Sequence, residues 1–214
     1  MNRKKIVIYI ILALVLTAGA YQYRVRKFQR DISQDIFRFH VLANSDSKED
    51  QSVKLEVRDE IGRYMKEQMQ DVENLTECMQ AAEENLPEIT RIAEEVLNRE
   101  GFSYPAKARV GKVDFPQKQY GSYTFPKGSY QALQITLGEG EGHNWWCVMY
   151  PNMCFAGSVY EVIEEDAKTE LRAVLTPEEY EELMAESSIS VKFKYWEKIK
   201  ELWDTVKNEQ GRKR

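Results

Sequence analysis

The sequence predicts an α+β fold. Three observations carry that prediction. Runs of β-branched and aromatic residues occur around residues 37, 106, 133 and 146. Two stretches with apolar residues at spacings of three and four lie between the first run and the rest. The later runs are joined by links rich in Gly, Pro and Tyr, which suit antiparallel pairing. The expected arrangement is an N-terminal strand and two helices packed on a small antiparallel sheet, with a C-terminal amphipathic helix. At 214 residues and 43% hydrophobic, the chain fits one domain with a tail and is too polar for many membrane spans. Its 11% aromatic content argues against disorder, and a net charge of −5 argues against general nucleic-acid binding.

Residues 1–20 have the layout of an export signal or membrane anchor. Arg3, Lys4 and Lys5 precede the apolar run from Ile6 to Leu16, and Ala18-Gly19-Ala20 offers a small-x-small cleavage site. Retained as an anchor, residues 6–23 would span about 27 Å, barely a bilayer. Arg24, Arg26, Lys27 and Arg30 follow, so both flanks are positive and orientation is not readable from charge. Either way residues 31–214 lie outside the cytoplasm. Removing residues 1–20 takes three of the 30 cations and none of the 35 acids, so the net charge falls from −5 to −8.

Residues 31–160 form the expected main domain. Ile36 to Leu42 reads as a strand. Ser47 and Asp50 resemble a capping box opening a helix, whose buried face is Val53, Val57, Ile61, Tyr64 or Met65, and Met69. A second helical pattern runs from Leu75 to Leu97, kinked or split by Pro87, with Gly101 as its C-terminal cap. Ala106 to Phe115, the alternation around Leu133, Ile135 and Leu137, and Trp145 to Tyr150 are strands. Residues 161–188, with ten acids and two bases up to Glu186, read as a solvated connector holding a short helix begun by Thr176-Pro177. Residues 189–208 form an amphipathic helix on which Phe193, Trp196 and Trp203 share a face framed by lysines. Such a helix docks on a membrane surface, in a partner groove or on its own domain.

The chemistry is sparse. Two His and three Cys leave little for a metal cage, and no metal site or cofactor is expected. Cys147 and Cys154 enclose six residues including Pro151, and an oxidising compartment favours a bridge between them. Cys78 reads as a buried free thiol. A Cys147 thiolate with His143 would suggest an envelope hydrolase. A bridge would remove the thiolate, and a strand would set the two residues about 13 Å apart. The Gly138-Glu139-Gly140-Glu141-Gly142 run reads as a turn, since its carboxylates would repel phosphate.

Three segments resemble the stage II sporulation protein R family. They are Arg38-Phe39-His40-Val41-Leu42-Ala43-Asn44-Ser45-Asp46-Ser47 with Asp50-Gln51 and Arg58-Asp59; Phe115-Pro116 through Tyr120-Gly121 to Tyr130; and Gly138 through Asn144-Trp145-Trp146-Cys147 to Cys154-Phe155. The resemblance implies a signalling protein exported from the forespore into the space between the two sporangial membranes. There it would activate a membrane-embedded aspartic protease of the mother cell, which cuts the precursor of the sigma factor sigma-E. It implies no catalysis by this chain and no nucleic-acid partner. On that reading the partner patch lies at Trp145 and Trp146, with polar anchoring from Asn44, Asp46 and Arg58. A passive envelope-binding module is the remaining alternative.

Overall fold

The computed structural model describes residues 3–151, Met153 and residues 165–186. Helix α1 (Arg3–Asp35) leads into strand β1 (Phe37–Leu42), then helices α2 (Lys48–Gln68), α3 (Leu75–Glu84) and α4 (Leu86–Arg99). Strands β2 (Ala106–Phe115), β3 (Lys118–Tyr120), β4 (Tyr123–Phe125), β5 (Gly128–Leu137) and β6 (Asn144–Tyr150) follow. Helices α5 (Glu165–Val174) and α6 (Pro177–Glu186) come last among the described residues. The α+β class stands.

The main sheet has the order β2-β5-β1-β6, and β3 and β4 form a separate hairpin. The sheet is mixed rather than purely antiparallel: β1 runs parallel to β5 and antiparallel to β6. The first strand is therefore central, not an addition to a later sheet. The chain between β1 and β5 contains three helices and can make the crossover that parallel strands need.

Both faces of the sheet are covered, which explains why strands such as β5 are buried on both sides. On one face lie Val53, Val57, Ile61 and Met65 of α2 and Ile89, Ala93, Val96 and Leu97 of α4. They meet Phe37, Phe39 and Val41 of β1, Leu133, Ile135 and Leu137 of β5, and Trp145 and Cys147 of β6. The second helical stretch is two helices. Asn85 ends α3 and begins α4, with Pro87 in the first turn of α4, where a missing N–H costs nothing. Gly101 has φ +83, as a left-handed helix cap demands.

The other face is covered by the end of α1 through Phe28 and Ile32, by Tyr123 and Phe125 of the hairpin, by Leu171 of α5 and Leu183 of α6, and by Leu175 just after α5. Where the acid count reads as a solvated connector, the structure has two packed helices. Thr176 does cap α6: its hydroxyl accepts from the Glu179 N–H and donates to the Glu179 carboxylate. Upstream of Phe28, α1 is exposed. Residues Ile8–Asp35 are long and apolar enough to cross a membrane, with Ile8, Leu12, Leu14 and Leu16 all in the open. Residues 189–208, expected to form an amphipathic helix with Phe193, Trp196 and Trp203, lie outside the described residues, as does Cys154.

Candidate functional site

The turn after β1 and the glycine run before β6 interlock at one end of the sheet. Ser47 caps α2, its hydroxyl accepting from the Asp50 N–H at 3.0 Å. The Asp50 carboxylate does not reach back to close a capping box. It accepts from the Ser45 hydroxyl at 2.5 Å, the Tyr104 hydroxyl at 2.6 Å and the Asn44 amide at 2.9 Å. Burial raises its pKa, but hydrogen bonds led by those from Ser45, Tyr104 and Asn44 outweigh burial and hold it below the usual carboxylate value.

The glycine run is docked, not free. Gly142 N–H donates to the Ala43 carbonyl, Glu141 N–H to the Asn44 carbonyl, and Glu139 N–H to the Asn44 side-chain oxygen. A Cβ on Gly138 would sit 2.1 Å from Asn44 Oδ1, and one on Gly142 would sit 2.1 Å from the Ser45 carbonyl oxygen. Glycine is needed here because one backbone lies against another. His143 closes the contact: its N–H and ring Nδ1 both meet Asp46 Oδ1, at 2.6 and 2.5 Å. That pairing lowers the Asp46 pKa. Lys54 and Gln51 of α2 donate to the His143 carbonyl at 3.0 and 3.5 Å.

The two tryptophans point to opposite faces, as strand alternation requires. Trp145 is 6% exposed, packs edge-on against Phe39, and carries the Arg58 guanidinium 5.1 Å from its ring centre. Arg58 also pairs with Asp59 at 2.6 Å. Trp146 is half-buried on the other face and stacks on His40 at 3.7 Å between ring centres. Burial pushes the His40 imidazole down to about 4, so it is neutral at ordinary pH.

Sequence reasoning missed Arg38. It is fully buried beneath the hairpin, ringed by Phe115, Tyr120, Phe125 and Tyr130 with ring centres 4.5–5.7 Å away. Its Nε donates to the Cys147 carbonyl at 2.9 Å, and an Nη donates to the Tyr120 hydroxyl at 3.0 Å. Tyr120 in turn donates to the Trp146 carbonyl at 2.9 Å. The only signal available was a cation alternating with Phe37 and Phe39, which reads as a solvent-facing residue until both faces are known to be covered.

Of the expected site residues, Asn44, Asp46 and the start of β6 come together, and Arg58 and Trp145 meet one helical turn away. His143 bonds to Asp46 rather than to Cys147, which lies in the core on the helix side of the sheet. Among the described residues no group of three or more His, Cys, Asp or Glu is placed to hold a metal. Cys78 is buried and free, and burial pushes its thiol up to about 12.

The arrangement defines a class: an α+β domain on an apolar N-terminal helix, built around a rigid polar lock. The pattern of the stage II sporulation protein R family matches residues 33–160. Stage II sporulation protein R of Bacillus subtilis (strain 168) is 33% identical over 186 residues, covering 85% of this chain and 83% of that protein. The chain belongs to the stage II sporulation protein R family and is a sporulation protein. No solved structure matches it.

Proposed function

We propose that this protein is an intercellular signal. It is exported from the forespore and activates the mother-cell membrane aspartic protease that cuts the sigma-E precursor. The observation that carries the reading is family membership, joined to the meeting of all three family segments around β1. The apolar start of α1 fits export or anchoring in the space between the two membranes. On this reading the chain performs no chemistry. It binds the working state of the protease better than the resting one, and a fifty-fold bias needs only about 2.3 kcal/mol.

Asn44, Arg58 and Trp145 shape the lock, while the exposed Asp46 and the open edge of Trp146 meet the partner. A Cys147–Cys154 bridge fixes the turn after β6. The segment with Phe193, Trp196 and Trp203 docks on the partner or the membrane. The test is reconstitution of protease, sigma precursor and this chain in one membrane. Cleavage that depends on this chain, and that drops in Trp146→Ala while the fold holds, supports the reading. No gain in cleavage with all three present overturns it and leaves a passive binding module.

A further inference from the structure

Strand β2 is an edge strand with an open side. It pairs with β5 from Ala106↔Leu137 to Phe115↔Gly128 without a bulge, and among the described residues no strand lies beyond it. Among the described residues, no backbone hydrogen bond from outside the sheet reaches residues 106–115. Ten residues of free edge extend about 33 Å. Lysines on an edge are the ordinary guard against aggregation, and Lys107 and Lys112 serve that purpose in part. The usual companions of that guard are missing, however. The edge is twice the common strand length and contains neither proline nor bulge.

Charge says what fits there. Lys107, Arg109 and Lys112 are exposed and outnumber the one exposed acid of the strand, Asp114 beside Lys112, on a chain whose net charge is −5. Lys107 and Arg109 stand on one face of the strand and Lys112 on the other. The half-exposed Ala108 and Val110 give the helix-side face an apolar strip. A second copy fits poorly. The two centred antiparallel registers of β2 edges set Arg109 diagonal to Arg109 of the other copy, or Lys112 diagonal to Lys112, within reach of such long side chains, and like charges that close repel.

We propose that the β2 edge receives an extended acidic segment of a partner polypeptide as a fifth strand. Its carboxylates meet Lys107 and Arg109 on one face and Lys112 on the other, with apolar residues between them. Backbone hydrogen bonds supply affinity and the cations supply sign selectivity. This inference holds whether or not the partner is the protease.

The test uses the full chain in zwitterionic micelles with a capped, fluorescent Val-Glu-Val-Glu-Val-Glu-Val peptide, and its Val-Lys counterpart as control. Anisotropy gives binding, and amide hydrogen exchange gives the location. The expected result is binding of the Glu peptide alone, with new protection confined to residues 106–115. The triple variant Lys107→Glu/Arg109→Glu/Lys112→Glu is expected to weaken it about tenfold or more in low salt. A backbone probe backs the charge probe. Ala108 and Arg109 alternate between facing β5 and facing outward, so Ala108→Pro or Arg109→Pro, whichever retains near-ultraviolet dichroism, abolishes binding. Equal binding of both peptides, protection elsewhere, or edge protection in the free chain with a dimer in sedimentation overturns the proposal. Binding as expected, with precursor cleavage unaltered in the triple variant, keeps the edge site and separates it from the protease reading.

Discussion

Asp50 is the residue on which the lock turns, and Asp50→Ala is the perturbation that tests it. The carboxylate is 5% exposed and accepts three side-chain hydrogen bonds, from Ser45, Asn44 and Tyr104. A hydrogen bond to a charged group contributes about 1.5–3 kcal/mol net. The three do not add, because Ser45, Asn44 and Tyr104 are half-buried and partly regain water. The expected loss is about 3–5 kcal/mol. Urea unfolding of the full chain in mild detergent reads it as a lower midpoint at unchanged slope. The pH dependence has a definite sign. The folded pKa lies below the ordinary 3.8, so this contribution is complete above that value and is lost as pH falls through the folded pKa. Stability of the natural chain should fall on acidification below about pH 4, and Asp50→Asn should lose less there. A loss under about 1 kcal/mol for Asp50→Ala would show that the turn holds its shape without the carboxylate, and the reasoning would fail.

Further predictions concern the packing around that lock. Gly138→Ala and Gly142→Ala force a Cβ onto the Asn44 side chain and the Ser45 carbonyl. Each should cost about 2–3 kcal/mol, against about 1 kcal/mol for Gly101→Ala, which meets nothing and suffers only its positive φ. Phe28→Ala and Ile32→Ala should each cost about 2–5 kcal/mol by the same urea assay, because both fill the second core although the helix before them is exposed. Arg38→Ala should cost about 3–5 kcal/mol through the cavity it leaves. Arg38→Met, which fills the aromatic ring without a charge to desolvate, should stay within about 1.5 kcal/mol. His143→Ala should leave the fold intact and move the Asp46 pKa up toward its ordinary value, as read by carboxyl shifts in an NMR titration.

Much of the fold was legible because local rules and tertiary packing agree. The spacing of Val53, Val57 and Ile61 named the buried face of α2, and all three are buried; between Tyr64 and Met65, which the spacing left open, it is Met65 that is fully buried, while Met69 is only partly so. The run Ala106 to Phe115 named β2 to its ends. Ser47 and Gly101 capped the helices they were expected to cap. The pairing of β1 was not legible, because a six-residue strand carries no mark of its parallel partner. Ten acids concealed a packed pair of helices, although Leu171 and Leu175 stand four apart on one face and both are buried. The candidate site was half legible. Asn44 and Asp46 belong to an obvious turn, but that the glycine run would close over it is a product of β1 lying between β5 and β6.

That topology also bears on what a partner can touch. The three family segments meet around β1, so many of their polar groups are already bonded within the chain. Asn44 is held by Asp50 and Glu139, Arg38 by Cys147 and Tyr120, and Trp145 is covered by Arg58. The shared residues therefore describe a scaffold first and a contact surface second. The groups left outward on and beside it are Asp46, His143, Asn144, the edge of Trp146 and, two strands away, Arg109. Asp46 and His143 hold each other through exposed hydrogen bonds, and Trp146 is stacked on His40, so these groups are partly ordered before a partner arrives and lose less entropy on binding. For the proposed signal, which would distinguish two states of its target by a small difference in contact, such partial ordering means that less of each contact is offset by lost entropy.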